Sequence, residues 1–174
     1  MKKILLIGLV LLVAVLASGC TGFPKTINTQ LEGKIDYQPA SVNFIIEKDI
    51  ALGKIAPEVI ERVKLLVKEK LGEKNIIVNN GSSVWVKVFL KKYEDGNIAG
   101  RGISGAILGI NLGESAKIEA KVIILENQRK IAEADILVES SKSGWNFSYG
   151  YGGAKGLEEG FAKEVVQIFL KTIN

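Results

Sequence analysis

The stretch Ser115–Glu139, SAKIEAKVIILENQRKIAEADILVE, decides the fold. Ala116, Ile118, Ala120, Val122 and Ile124 alternate with polar groups in its first arm, and Ala132, Ala134, Ile136 and Val138 do the same in its second. A period of two is the pattern of strands that bury one face, so residues 115–125 and 131–139 are read as a hairpin. The polar run Glu126-Asn127-Gln128-Arg129-Lys130 joins the arms and lacks the Asn-Gly pair that marks a two-residue turn. A register pairing Lys121 with Asp135 and Lys117 with Glu139 keeps the small-residue faces together and sets unlike charges opposite each other, and is preferred for that reason.

Upstream of the hairpin, Ser83 to Lys92 form a long strand with Val84, Val86, Val88 and Leu90 on one side and Trp85, Lys87, Phe89 and Lys91 on the other. The valine side is expected to face helices. Ser41 to Glu47 form the first strand, with Val42, Phe44 and Ile46 on one face. Between these lies a helix from Pro57 to Leu71, with proline in the first turn, Glu58 and Glu61 early, Lys64, Lys68 and Lys70 late, and Gly72 as the stop. Its apolar stripe is Val59, Ile60, Val63, Leu66, Val67 and Leu71. Asn75 to Val78 make a short strand before the turn Asn79-Asn80-Gly81. A second helix, from about Ala154 to Thr172, carries Leu157, Phe161, Val165 and Ile168, widened by Ala162, Val166 and Phe169. The order of elements implies an α+β domain over residues 41–174, a mixed or antiparallel sheet with two helices packed on one face.

The chain has 174 residues, 47% hydrophobic and 24% charged, enough for one compact core. It has no histidine and one cysteine, which excludes a histidine-based triad, a cysteine and histidine zinc site, an iron–sulfur centre and an internal disulfide. An enzyme would have to rest on carboxylates such as Asp36, Glu94, Asp95, Glu158 and Glu159. Glu158 and Glu159 are neighbours on a helix and point apart, whereas a glycosidase needs two carboxyls roughly 5 to 9 Å apart across a sugar. No catalytic residue, metal site or cofactor is nominated, and a non-enzymatic role is expected.

At the N-terminus, Lys2 and Lys3 precede fourteen uncharged residues, Ile4 to Ala17, broken only by Gly8. That run is short for a membrane span, which takes about 20 residues, and reads as a secretory signal over residues 1–19. Its end, Leu16-Ala17-Ser18-Gly19-Cys20, resembles the lipobox of secreted lipoproteins, in which the cysteine is diacylated and becomes the mature N-terminus. The resemblance implies lipidation at Cys20 and anchoring without spanning, since two acyl chains suffice for stable attachment. It has leucine one place further from the cysteine than the family prefers. Residues 20–40 are expected to be the lipidated N-terminus and a tether, with a reach of roughly 25 Å if flexible throughout. Loss of two lysines and no acid lowers the formal charge from +4 to +2, which gives no basis for nucleic-acid binding. Thr21 stands where some Gram-negative lipoproteins carry an inner-membrane retention aspartate. The expected location is therefore the outer membrane in such a cell, and otherwise the external face of the plasma membrane.

Six of the nineteen glycines lie between Gly96 and Gly113 and six more between Gly144 and Gly160. The first group contains G-x-G-x-x-G at Gly100, Gly102 and Gly105, but the residues that follow alternate as a strand instead of completing a dinucleotide-binding unit. Gly105, Gly109 and Gly113 are spaced for close helix contact in lipid, yet Arg101 and Asn111 break the apolar run. A bulged or looped segment covering the sheet is expected. In the second group Trp145, Phe147, Tyr149 and Tyr151 alternate, so an extended chain would set four rings on one side. They are read either as rings packed over the sheet or as a binding row for a partner or a glycan. Lipobox, αβ start, the segment Gly96 to Ala106 ahead of the strand Ala116 to Leu125, a polar turn and a glycine-rich patch before a last helix together resemble small envelope lipoproteins of a domain-of-unknown-function family. The resemblance, over about residues 41–172, implies a fold and a location. The expected function is that of a lipid-anchored envelope protein of accessory or adaptor type, with a protein partner. The alternative is a module taking glycan, peptidoglycan or lipid on residues 144–153. Oligomeric state is left open.

Overall fold

The computed structural model describes residues 23–48, 55–94, 116–139 and 157–174. In chain order they form β1 (Phe23–Leu31), β2 (Ser41–Lys48), α1 (Pro57–Gly72), β3 (Ile77–Val78), β4 (Val84–Glu94), β5 (Lys117–Glu126), β6 (Arg129–Glu139) and α2 (Glu158–Leu170). The strands make one mixed sheet in the order β1-β6-β5-β4-β2-β3, with β2 parallel to β3 and β4 and the remaining pairs antiparallel. This is the expected α+β architecture.

The hairpin register is the one that the charges favour, with Lys121 opposite Asp135 and Lys117 opposite Glu139. Its turn corrects the sequence reading. Glu126 pairs with Arg129, and the two residues between them, Asn127 and Gln128, have φ of 49° and 67°. Positive φ at both central positions fits a type I′ turn, whose twist suits paired strands even without glycine. The residue unmatched by the five-residue reading is Ile131, a bulge that buries it beside Ala132.

One face of the sheet is the core. Val42, Phe44, Val84, Val86, Val88, Leu90, Ile118, Ala120, Val122, Ile124, Ala134, Ile136 and Val138 are buried there. Against them α1 sets Val59, Val63, Val67 and Leu71, and α2 sets Phe161, Ala162, Val165, Val166, Ile168 and Phe169. Gly72 does not stop α1. It is the last helical residue, and the left-handed residue is Asn75 (φ 59°). Ile76 N–H donates to the Leu71 carbonyl (3.1 Å) and Asn75 N–H to that of Gly72 (2.9 Å), the paired bonds of a Schellman ending.

The expected tether is also corrected. Residues 23–31 form the edge strand β1 along β6, with a bulge at Ile27, and Ile35 is fully buried. The backbone of Ile35 donates to Thr172 (2.7 Å) and accepts from Asn174 (3.1 Å), fastening the end of α2 to the chain that leaves β1.

These pairings give the domain two unlike ends. At the lower end lie the Asn127-Gln128 turn, the Asn79–Ser83 turn, the ends of both helices and the Ile35 clamp. At the upper end Phe23 stands opposite Glu139, Glu139 opposite Lys117, and Lys117 opposite Glu94. Both helices begin there, and the described chain leaves and re-enters there at Lys48 and Ile55, Glu94 and Ala116, and Glu139 and Leu157.

Candidate functional site

The upper end is built around a residue that the alternation of β4 would misplace. Counting from Val84, Lys92 and Glu94 belong on the helix side. The β4–β5 register slips one residue at Lys91, so Tyr93 comes opposite Ile118 and faces the helices instead. A bulge of this kind re-aims a side chain at the cost of one ladder position. The Tyr93 hydroxyl donates to Glu158 Oε1 at 2.6 Å. Arg62, on α1 between the buried Val59 and Val63, grips the same carboxylate with both arms of its fork, Nη2 to Oε1 at 2.8 Å and Nε to Oε2 at 3.2 Å. Its Nη2 also reaches the Tyr93 hydroxyl at 3.5 Å.

Glu158 is 2% exposed and Arg62 about a third exposed. The carboxylate opens α2, where the free N–H groups of the first turn favour negative charge. The hydrogen bond to Glu158 holds the Arg62 guanidinium well above its ordinary pKa, burial opposes this, and the charge of Glu158 and the bond to Tyr93 add to the rise. Both Glu158 oxygens therefore accept from neighbours, and the cluster joins α1, α2 and β4. Glu159, one residue on, is exposed and paired with Lys163 at 2.9 Å, whose hydrogen bond lowers its carboxyl pKa. The two acids diverge as neighbours on a helix must. Asp36 accepts from Asn174 at 2.7 Å at the lower end, and Glu94 pairs with Lys92 at 2.9 Å at the upper end, so these carboxylates do not converge. Asp95 lies outside the described residues.

The sheet face away from the helices is laced with ion pairs. Lys117 meets Glu119 at 2.6 Å and Glu139 at 3.5 Å, and Lys91 meets Asp135 at 2.6 Å. Lys121 bonds Glu133, diagonal to it, rather than its opposite residue Asp135, which Lys91 occupies. Lys130 bridges Glu32 (2.8 Å) and Glu133 (3.1 Å). The Lys121 and Lys117 pKa values rise chiefly through hydrogen bonds to Glu133 and Glu119, and that of Glu133 falls chiefly through Lys121 and then Lys130. Lys87 lies 5.5 Å from the ring centre of Trp85 on the same face. Pairs this exposed serve register more than stability.

The residues singled out from the sequence, Cys20, Trp145, Phe147, Tyr149 and Tyr151, lie outside the described residues. The structure gives their points of attachment: Phe23 for the first, Glu139 and Leu157 for the others, all at the upper end. The Arg62–Tyr93–Glu158 cluster was missed. One signal for it was present, because Glu158 stands three, four and seven residues before Phe161, Ala162 and Val165, on the buried stripe itself. Among the described residues no group of three or more histidine, cysteine, aspartate or glutamate side chains could hold a metal. No described helix is long and apolar enough to cross a membrane.

A six-stranded mixed sheet with two helices on one face and its open connections at one end defines an α+β two-layer domain. Solved structures share that fold. The PelC dodecamer from Paraburkholderia phytofirmans is 6% identical with a TM-score of 0.50, covering 81% of this chain and 97% of that one. Protein XCC0632 from Xanthomonas campestris, of family DUF330, is 15% identical with a TM-score of 0.50, covering 80% and 87%. At these identities the likeness is one of fold alone; XCC0632 belongs to a domain-of-unknown-function family. No family model matches the chain, and no curated protein sequence matches it.

Proposed function

We propose that the chain is an envelope protein anchored by lipid on Cys20 that works through non-covalent contacts with other proteins. The observation that carries the reading is the lipobox-like stretch at residues 16–20, set only two residues before a strand that belongs to the folded domain. The contact surface on offer is β1 with the charge-laced face beside it. Among the described strands β1 pairs only with β6, which leaves its other edge open, and Ile27 is 58% exposed on it. The Paraburkholderia protein of this fold was solved as a dodecamer, which makes self-association the first contact to test. With threonine after the cysteine, the outer membrane is the proposed site in a Gram-negative cell and the external face of the plasma membrane elsewhere.

The test of the anchor is Cys20→Ala. The variant should be exported and move from the membrane pellet to the soluble fraction, and its N-terminal peptide should lack acyl mass; tight membrane association of a fully processed, unacylated chain defeats the anchor. The test of the contact is a photocrosslinker at Asn28 on β1 in intact membranes. A discrete crosslinked species supports the adaptor role, and none at any β1 position refutes it.

A further inference from the structure

We propose that the sheet face away from the helices carries, over β4, a docking site for an extended segment of another protein in which a carboxylate stands between apolar side chains. The site rests on the reading of the chain as one that works through contacts with other proteins, and it needs neither the anchor nor β1. Ion pairs fill the upper part of this face and its β6 side, where Lys91, Lys92, Lys117, Lys121 and Lys130 all meet carboxylates. Lys87 is the exception. Among the described residues it makes no ion pair, and its ammonium lies over the Trp85 ring instead of turning to Glu47, diagonal to it on β2.

The register sets Lys87 at the centre of an apolar cross. Ile45 and Ile123 stand opposite it on β2 and β5, about 4.8 Å away on either side. Trp85 and Phe89 precede and follow it on the same face of β4, each about 6.6 Å along the strand, and Leu125 lies opposite Trp85. All of these side chains are partly exposed. At the lower rim Ile77, opposite Ser41 and 65% exposed, extends the patch to β3, and the hydroxyl of Tyr37, 48% exposed, lies 3.2 Å from that of Ser83, two residues before Trp85. Apolar and aromatic side chains gathered on one exposed face mark an interaction surface, and contact energy concentrates on the aromatic ones. A cation in the middle of such a patch loses its water when the patch is covered, so the cover must bring it an anion. An extended chain repeats on one side at every second residue, with the spacing of β4 itself. A segment of the form apolar-x-acid-x-apolar laid along β4 therefore sets its acid over Lys87 and its apolar side chains over Trp85 and Phe89.

The experiment uses the purified full chain, and its probe is a displayed library of random linear peptides selected in parallel on the wild type and on Lys87→Glu. Peptides from the wild type should share an aspartate or glutamate with an apolar residue two places away on each side, and should bind Lys87→Ala at least tenfold more weakly. Peptides from Lys87→Glu should carry lysine or arginine in place of the acid. Unchanged urea midpoints show that both variants fold. No selected peptide, peptides without a shared acid, or affinity indifferent to Lys87→Ala overturns the site. In a Cys20→Ala background Lys87→Cys is the only thiol. Alkylation at the rate of an exposed cysteine supports an open patch, and a blocked thiol, which would give the patch to the chain's own residues, overturns the site. A photocrosslinker at Ile123 in intact membranes separates the site from the adaptor reading. A crosslink from Ile123 to another protein that is lost with Lys87→Glu supports the site; one that persists, or a crosslinked dimer of this chain, overturns it. Crosslinks from Asn28 with none from Ile123 defeat the site alone, and none from either position defeats both.

Discussion

Replacing Arg62 with alanine removes two of the three bonds that Glu158 accepts, at 2.8 and 3.2 Å, and leaves a 2% exposed carboxylate with the Tyr93 hydroxyl at 2.6 Å. Removing one partner of a fully buried ion pair costs about 3 to 5 kcal/mol, because the charge left behind has lost its water and its counter-ion. The Arg62 side chain is 37% exposed, so water can enter where the guanidinium was, and the expected cost falls to about 2 to 3 kcal/mol. For a domain of this size that lowers the melting temperature by roughly 5 to 10 °C. The measurement is urea unfolding of the Cys20→Ala protein with and without Arg62→Ala; the midpoint should fall at unchanged slope. The combined variant Arg62→Met with Glu158→Leu should recover most of the loss, since it removes the stranded charge as well as its partner. A cost under about 1 kcal/mol for Arg62→Ala, or losses that simply add in the combined variant, would refute the reading of this cluster as a buried joint.

Gly72→Ala should raise stability by about 0.5 to 1 kcal/mol in the same assay, because Gly72 ends α1 outside the left-handed region and nothing lies within 4 Å of where a Cβ would stand; destabilisation would show that the glycine is the true helix stop. Gln128→Gly should also stabilise, by about 1 kcal/mol, by relieving a side chain held at φ 67° in the hairpin turn; a neutral or lower midpoint would contradict the type I′ geometry. The third expectation concerns pH. Lys121 and Lys130 hold the Glu133 carboxyl below its ordinary value of 4.5, so its contribution is complete above that value and is lost as pH falls through the lower folded one. Wild type should therefore exceed Glu133→Gln at neutral pH, and the gap should close below about pH 4.5; a gap that stays constant through that range would mean that the pair carries no charge-dependent stability.

The hairpin was legible because its residues satisfy two independent demands at once. Small apolar residues share one face, and unlike charges oppose each other, in a single register, the one found. The helices were legible from their stripes, though α1 shows how a local rule can mislead: Gly72 is a common stop residue, yet Asn75 takes the left-handed conformation and closes the helix. The strand β1 was not legible. FPKTINTQL has no alternation, since its Ile27 bulge breaks the period and an edge strand needs only one neighbour to satisfy its backbone. Tyr93 failed for a similar reason. A one-residue slip at Lys91 reverses which face every later residue of β4 takes, and no propensity in Leu90-Lys91-Lys92 announces it. The sequence could suggest Glu158 as a buried residue but not its partners, because Arg62 and Tyr93 come from distant elements that only the fold brings together.

The same geometry explains why the two ends of the domain should differ in firmness. At the lower end both helices finish on backbone bonds: Ile76 and Asn75 return to α1, Lys171 and Thr172 to Gln167 and Phe169, and Ile35 holds Thr172 from outside. At the upper end neither helix start has a side-chain cap, with Ala56 before α1 and Leu157 before α2. A first turn without a side-chain cap is easier to fray, although in α1 the Val59 N–H still donates to the Ala56 carbonyl at 3.0 Å. The Arg62–Glu158 bond fastens the opening residue of α2 to the second turn of α1, and Tyr93 fastens both to the sheet. One buried cluster thus does at the upper end what many backbone bonds do at the lower. Local opening should therefore begin at the end where the long connections attach and where the proposed anchor holds the chain.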